Sequence, residues 1–257
     1  MNEGKRTFSG SSLKFIAMFT MTIDHIAVVI LERVMISMGG FGLTGDAQVA
    51  FWKAHAGIYV TYFFMRLVGR VAFPIFCFLL IEGLKYTKSV KKYAFRLLLF
   101  AGLSEIPFNL ATRGKLFDFS YQNVFFTLFF GLVAILCIQK MEQSVHLGKM
   151  LKNGLCIGIA TLFGILAELL HTDYGFVGVL VIICMYLLRS SYLREILSGC
   201  GILTLFMGIE VTSFFAIPLV LRYNGQRGWK GKYVFYAFYP IHLLVLYGIA
   251  CGMGLSV

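Results

Sequence analysis

The residues best suited to chemistry lie inside apolar stretches of this sequence rather than in its polar loops. His25 follows Asp24 within the first apolar stretch, and Lys14 precedes the histidine by eleven residues. Eleven residues are almost three helical turns, so Lys14 and His25 would share one helix face, about 16 Å apart along the axis. Histidine suits proton abstraction near neutral pH. The spacing favours a general base with a cation on its face, although a hydrogen-bonded structural histidine also fits it.

Polar side chains also interrupt the later apolar stretches. Glu105 and Asn109 are four residues apart on one helix face, and Pro107 between them breaks the helical hydrogen bonds. Asn123 follows after a short loop. These side chains either line a cavity or form a structural polar cluster between helices.

Three further sites carry positive charge or histidine. Arg70 lies in a nearly unbroken apolar run, where an ionisable side chain is costly and usually marks a function or an internal pair. Asn224 and Arg227 belong to a glycine-rich turn, and such turns with arginine suit a phosphate, although many basic loops look alike. His242 follows Pro240 in an aromatic stretch. An aromatic belt at a membrane surface explains the aromatic residues but not the histidine.

The elements that position these side chains are predicted to be membrane helices. Apolar residues make up 59% of the 257 residues and charged residues only 14%, whereas a soluble domain carries about a quarter charged residues. The mean hydropathy is +0.82. One membrane crossing takes about 20 apolar residues. The sequence therefore predicts one all-α polytopic membrane domain over residues 1–257, with about eight to ten transmembrane helices and a loose cytoplasmic N-terminus over residues 1–12.

The predicted crossings cover about 13–35, 69–85, 93–111, 121–139, 151–170, 174–189, 195–221 and 233–254. Residues 49–67 form a crossing, a re-entrant segment or a surface helix. The formal net charge of +11 fits the Lys and Arg that collect in cytoplasmic loops, so no nucleic-acid partner is expected. The six cysteines form no CxxC pair, and neither a disulfide framework nor a metal site is expected.

Charge in the loops predicts the side of the membrane that each loop faces. The basic N-terminus and the basic loops at 85–92 and 222–232 fit the cytoplasm, whereas the loop at 170–174 has no Lys or Arg. A single helix over 195–221 would place the loop at 222–232 on the opposite side. The conflict disappears if that stretch breaks near Gly208, or if the basic loop has a function unrelated to topology.

Motifs spread over nearly the whole chain resemble the TraX family. They are Leu13-Lys14 to Asp24-His25, Gly69-Arg70 to Glu82-Gly83, Tyr93-Ala94-x-Arg96-Leu97, Ser104-Glu105-Ile106-Pro107-Phe108-Asn109, Asn123-Val124-Phe125-Phe126-Thr127-Leu128, Tyr223-Asn224-Gly225-x-Arg227-Gly228 and Lys232-Tyr233 to His242-Leu243. The family is named for a pilin N-terminal acetylase of conjugation systems. It is similar, at a distance, to the acyltransferase-3 superfamily, whose members are implied to move an acyl group from cytoplasmic acyl-CoA to an acceptor at or across the membrane.

The first-helix signature of that superfamily is an arginine, ten residues and a catalytic histidine. Lys14 and His25 have this spacing, with lysine in place of arginine, so the cation keeps its charge but loses the bidentate fork. The resemblance implies an acetyltransferase that uses acetyl-CoA as cosubstrate, with His25 as base or acyl carrier. Asp24 or Glu105 would orient or charge-balance the histidine.

The remaining expected contacts follow from the same resemblance. Asn109 and Asn123 would donate to a developing oxyanion, and Lys14, Arg70 and Arg227 would hold CoA phosphates. The full set expected around the cofactor is Lys14, Arg70, Asn109, Asn123, Asn224, Arg227 and His242. The acceptor is left open between a peptide N-terminus, a glycan and a lipid-linked substrate. The expected location is the cell membrane, and a homo-oligomer is left open.

Two other function classes fit the same buried charges. An ion or small-solute transporter would use them as a pathway, although the sequence has no inverted-repeat pattern. A structural or assembly subunit would tolerate charge-neutral replacements at Asp24, His25 and Glu105.

Overall fold

A computed structural model describes residues 7–40, 42–144 and 148–255, which form a helical bundle. The helices are α1 Gly10–Ile26, a π-helical turn Ala27–Leu31, α2 Glu32–Ser37, α3 Gly45–Ala54, α4 Ala56–Gly69, α5 Ala72–Tyr86, α6 Val90–Arg113, α7 Val124–Gln143, α8 Lys149–Leu169, α9 Gly175–Leu187, α10 Tyr192–Phe206, a 3₁₀ helix Gly208–Phe215, α11 Ala216–Leu221 and α12 Lys232–Gly252. Within these residues the only β-type pairs are two isolated bridges. The predicted all-α class is confirmed.

Six helical segments in the described ranges are long and apolar enough to cross a bilayer. They are Gly10–Ser37, Ala56–Tyr86, Val90–Arg113, Val124–Gln143, Lys149–Leu169 and Tyr233–Gly252. Two shorter apolar segments, Gly175–Leu187 and Gly208–Leu221, are below the length of about 20 residues that a full crossing takes. The predicted polytopic architecture is confirmed, with six candidate crossings in the described residues where about eight to ten were expected.

The first helix begins earlier than predicted. The hydroxyl of Ser9 accepts a hydrogen bond from the Ser12 amide at 3.2 Å and caps α1, which begins at Gly10. Before the cap, the Phe8 amide donates to the Arg222 carbonyl at 3.0 Å. The prediction of a loose segment over residues 1–12 is therefore wrong from Phe8 onwards, because backbone hydrogen bonds tie this part to the basic loop. Residues 1–6 lie outside the described residues.

The stretch over 195–221 is broken, as one of the two sequence-based alternatives requires. α10 ends at Phe206, the 3₁₀ helix begins at Gly208, and the second half packs back along α10. The chain then reaches the start of α1, where the carbonyls of Gln226 and Arg227 accept hydrogen bonds from the first amides of that helix at 2.8 and 3.0 Å. The basic loop and the N-terminus thus share one end of the bundle, called here the N-terminal end.

The ambiguous stretch over 49–67 divides into two helices. α3 has no buried residue and lies on the surface, whereas α4 continues into α5 with a break at Arg70 and Val71. α4 packs closely against α1, because a β-carbon added at Gly69 would lie 2.3 Å from the β-carbon of Asp24. The glycine is what lets Asp24 reach the break between α4 and α5.

Substitution of Gly69 should test this close approach. Gly69→Ala would overpack the α1–α4 contact and should lower the free energy of unfolding by about 1–3 kcal/mol. The control is Gly102→Ala on the exposed face of α6, where an added β-carbon meets no atom within 4 Å. Alanine there should be neutral or stabilising by about 0.5–1 kcal/mol. Thermal unfolding in detergent measures both, and equal effects at the two positions would contradict the contact.

Candidate active site

The first and the last long helices meet at two histidines. His25 on α1 and His242 on α12 are joined by a hydrogen bond of 2.6 Å between Nδ1 of His25 and Nε2 of His242. His242 is buried, and its other ring nitrogen, Nδ1, lies 2.9 Å from the carbonyl oxygen of Phe238. The pair therefore forms a chain from a backbone carbonyl through His242 to His25.

This chain fixes which nitrogen of His25 is free to accept a proton. A carbonyl oxygen only accepts hydrogen bonds, so Nδ1 of His242 carries the hydrogen and its Nε2 is an acceptor. Nδ1 of His25 must then donate to His242, which leaves Nε2 of a neutral His25 with its lone pair. The arrangement suits a general base that is held in one tautomer by a neighbouring group.

Aromatic side chains surround the histidine pair. The ring of Phe238 stacks on His242 with centroids 4.8 Å apart. Tyr239 meets His25 and His242 edge-on, with centroid distances of 5.9 and 5.6 Å. A π-helical turn begins at Ala27, two residues after His25, and such turns are frequent at functional sites. The imidazoles are thus held by packing as well as by hydrogen bonds.

A cavity of about 540 Å³ approaches the pair from the N-terminal end of the bundle. Lys14, Met18 and Met21 line it on one face of α1, and His25 is the next residue on that face, one turn further. Phe125 and Tyr239 also line the cavity and pack edge-on with centroids 5.1 Å apart. The cavity therefore leads to the aromatic residues that border His25.

Positive charge is concentrated in the lining of this cavity. Its described lining contains five cations and one acidic residue, Glu82, which is paired with Lys85. The five cations are Lys14, Lys88, Lys92, Arg96 and Arg227. Lys14 comes from α1, Lys88 from the α5–α6 turn and Arg227 from the basic loop. These three elements meet at the N-terminal end. The cavity suits a long ligand with an anionic head and an apolar tail.

Nearly the whole chain, residues 9–250, matches the protein-family model described as "TraX protein". The chain belongs to the TraX family. It is also 28% identical over 265 aligned residues to the "Probable fimbrial assembly protein FimC, serogroup H1" of Dichelobacter nodosus, and the alignment covers 93% of this chain and 94% of that protein. No solved structure matches this chain.

In this TraX-family chain, Glu105 belongs to a polar group at the start of α7. Nδ2 of Asn123 donates to Glu105 at 2.6 Å and to the Ala101 carbonyl at 2.9 Å. Both amide hydrogens of Asn123 are thereby used, which leaves none for an oxyanion. Its Oδ1 accepts from the Phe125 amide at 3.1 Å, so Asn123 caps α7. The second carboxylate oxygen of Glu105 and Oδ1 of Asn109 are buried without a hydrogen-bond partner.

Asp24 belongs to a charge-balanced cluster that is separate from the cavity. Its two oxygens accept from Arg66 at 2.8 Å and from Arg70 at 2.7 Å, and Arg70 also pairs with Glu210 at 2.8 Å. Tyr174 donates to the same Glu210 oxygen at 3.3 Å. The two arginines and two carboxylates neutralise one another and connect α1, α4 and the 3₁₀ helix.

One loop carboxylate extends this cluster. Asp173 precedes α9 and accepts a hydrogen bond from the Tyr121 hydroxyl at 2.6 Å. Burial raises the pKa of Asp173, and the Tyr121 hydrogen bond and the charge of Arg70 oppose that rise. In the described part of the chain, no three His, Cys, Asp or Glu side chains are grouped so that they could hold a metal ion.

The predicted site residues therefore fall into several groups. His25 and His242 touch, Lys14 and Arg227 line one cavity, and Glu105, Asn109 and Asn123 lie on or beside one polar segment. Arg70 is absent from the cavity lining because it serves the Asp24 cluster. Asn224 is also absent from that lining, and its side chain accepts the Gln226 amide within its own loop at 2.9 Å.

Sequence reasoning missed several lining residues. Lys92 and Arg96 are four residues apart, which places both cations on one face of α6, but their stretch was read only as a topology signal. Tyr239 lies three residues before His242 and so shares its helix face. The helical spacing gave a usable signal in each case.

Replacement of Arg70 should show that the Asp24 cluster is structural. Arg70→Met would leave Glu210 as an uncompensated buried charge and should lower the free energy of unfolding by about 3–5 kcal/mol. The double variant Arg70→Met/Glu210→Met removes both charges, so it should regain part of that loss. The control is Arg194→Met on the exposed face of α10, which should change the free energy of unfolding by less than about 0.5 kcal/mol. A double variant no more stable than Arg70→Met alone would contradict the pairing.

Proposed function

We propose that this protein is an integral membrane acyltransferase that moves an acetyl group from acetyl-CoA to an amine or hydroxyl acceptor at or across the membrane. One observation carries the proposal. A cavity with a cationic lining approaches His25, and the hydrogen-bond chain through His242 leaves Nε2 of that histidine ready to accept a proton. A long anionic thioester and a general base are what such an arrangement would bring together.

The cations at the N-terminal end would hold the phosphates of CoA. Lys14 and Arg227 come from different elements, and the Lys14 ammonium lies 4.8 Å above the Phe235 ring. The pantetheine arm would follow Met18 and Met21, about three helical turns along α1, towards His25. This route needs a CoA-facing N-terminal end, so we propose that this end is cytoplasmic and that the protein lies in the cell membrane.

The chemical step would use His25 as base. Its Nε2 would take the proton from the acceptor N–H or O–H while the acceptor atom attacks the thioester carbon. The new bond forms, the C–S bond breaks, and the CoA sulfur leaves as thiolate. The proton on His25 then passes to that sulfur, which restores the neutral imidazole. His242 would hold the ring and share the transient positive charge through the 2.6 Å hydrogen bond.

Asp24 and Glu105 would act around this step. The carboxylate of Asp24 adjoins His25 in sequence but bonds to two arginines, so it would set the position of α1. Glu105 retains one buried oxygen without a partner in the polar group at the start of α7, and this oxygen would meet the acceptor. The fimbrial assembly protein similar to this chain suggests an acceptor connected with pilus assembly, such as a pilin N-terminus.

A transporter is the second candidate, because buried polar atoms without partners also line ion pathways. Ser104 Oγ, Glu105 Oε1 and Asn109 Oδ1 lie on one segment of α6 in this state. Acetyl-CoA separates the two candidates. It should stabilise an acyltransferase by about 2.7 kcal/mol at 100 times its Kd, and it should not stabilise a transporter of ions or small solutes. An assembly subunit without chemistry would also ignore it.

Replacement of His25 should abolish transfer while the protein still folds. His25→Ala removes the base and should reduce acetyl transfer by at least about 10²-fold, whereas acetyl-CoA should still raise the thermal stability of the variant. Transfer is measured with radiolabelled acetyl-CoA on membranes that contain the natural acceptors, and as thiol release by the purified protein.

His55→Ala is the matched control, because His55 lies between α3 and α4 and is absent from the cavity lining. Transfer by this control should equal that of the wild type. Full activity in His25→Ala would overturn the assignment.

Replacement of the cavity cations should weaken cofactor binding more than chemistry. Lys14→Ala and Arg227→Ala should each raise the Kd for acetyl-CoA about tenfold or more, since a charged hydrogen bond contributes about 1.5–3 kcal/mol, and the effect should shrink at high salt. Lys14→Arg should keep or improve the affinity, because arginine binds phosphate bidentately. Lys91→Ala, on α6 but absent from the cavity lining, is the control. Calorimetry measures each Kd, and equal values for all four variants would contradict the phosphate site.

A further inference from the structure

Tyr239 stands where the cavity meets the histidine pair. Its side chain lines the cavity and is only 4% exposed. Its ring contacts His25, His242 and Phe125 edge-on, so packing on three sides fixes its position. A thioester that reaches His25 through the cavity must pass this tyrosine.

Tyr239 packs beside the first turn of α7. Its ring meets Phe125, and Val124, the first residue of that helix, lines the same cavity. Asn123 caps this turn and takes up the Phe125 amide. The Val124 amide is one of the N–H groups that a helix start leaves without an internal partner, and the helix dipole adds partial positive charge there.

The hydrogen of the Tyr239 hydroxyl remains available for a ligand. Within the described residues, no acceptor is hydrogen-bonded to it, and a tyrosine O–H is a hydrogen-bond donor. Tyr239 thus places a donor at the end of the cavity that borders His25.

We propose that Tyr239 is a further catalytic residue, whose hydroxyl donates a hydrogen bond to the thioester carbonyl oxygen of the acyl donor. The inference rests on the proposed acetyl transfer. When the acceptor atom attacks the carbonyl carbon, the C=O electron pair moves onto oxygen, and Tyr239 stabilises that negative charge. The pair returns as the C–S bond breaks, so Tyr239 neither gains nor loses a proton. Proton movement stays with Nε2 of His25.

This assignment fills a role that Asn123 leaves vacant. Asn123 has no free amide hydrogen, because Glu105 and the Ala101 carbonyl take both. Asn123 instead caps the helix whose first residue, Val124, lines the cavity with Tyr239. A preorganised donor at a developing oxyanion contributes more in a water-poor site than in water.

The test is Tyr239→Phe, which removes the hydroxyl and keeps the ring contacts. The turnover number for acetyl-CoA thiol release should fall about 10²–10³-fold, as when one oxyanion donor is lost, while the Kd for acetyl-CoA and the unfolding temperature stay close to wild type. Tyr247→Phe is the matched control on the same helix, where the ring packs against Arg33 and does not line the cavity. Its turnover number should not change.

A second measurement separates donation from packing. Ring-fluorinated tyrosines placed at position 239 by nonsense suppression keep the shape but make the hydroxyl a stronger donor, so turnover should follow the acidity of the phenol. Unchanged turnover in Tyr239→Phe overturns the inference, and so does a loss of turnover accompanied by an equal loss of affinity and stability. Wild-type protein that releases no thiol from acetyl-CoA, with either water or a short peptide as acceptor, overturns the proposed function instead.

Discussion

The structure depends on one hydrogen bond between two imidazoles. His25 comes from the first long helix and His242 from the last, and their ring nitrogens lie 2.6 Å apart. The Phe238 carbonyl at the far end sets the direction of the chain, because it can only accept. That direction decides which nitrogen of His25 keeps its lone pair. Neither histidine alone would be held in a single tautomer.

The ion pairs of Asp24 and the contacts of the basic loop hold α1 in the position where this hydrogen bond forms. Asp24 adjoins His25 and is held between Arg66 and Arg70, so the cluster fixes α1 along its axis. Gly69 allows the close approach that these bonds need. At the N-terminal end, carbonyls of the basic loop close the first turn of α1. Burying charged side chains costs free energy of folding, but breaking a buried ion pair is also costly because it leaves an unpaired charge. Such ion pairs therefore suit a rigid scaffold.

Much of the helical architecture could be predicted from the sequence, whereas the contacts within the site could not. Apolar runs predicted the crossings, and the spacing of Lys14 and His25 predicted a shared face that the cavity lining now shows for Lys14. The partner of His25 could not be predicted, because it lies 217 residues away and the contact depends on how whole helices pack. Arg70 was expected at a phosphate because the sequence alone does not show that Arg70 pairs with Glu210. Asn123 was expected as a donor to an oxyanion, but Glu105 and the Ala101 carbonyl take both of its amide hydrogens.

The pairing of the first and last helices has a consequence for how the protein is made. Chains are inserted into membranes from the N-terminus onwards, and His25 is among the earliest residues to arrive. Its partner comes from α12, so a nascent chain carries the His25 imidazole through most of its synthesis without the group that orients it. The loop that closes the start of α1 also comes late, just before α12. A ribosome that stalls anywhere before α12 therefore leaves an inserted chain in which His25 lacks its hydrogen-bond partner, and the pair forms only after α12 has been made.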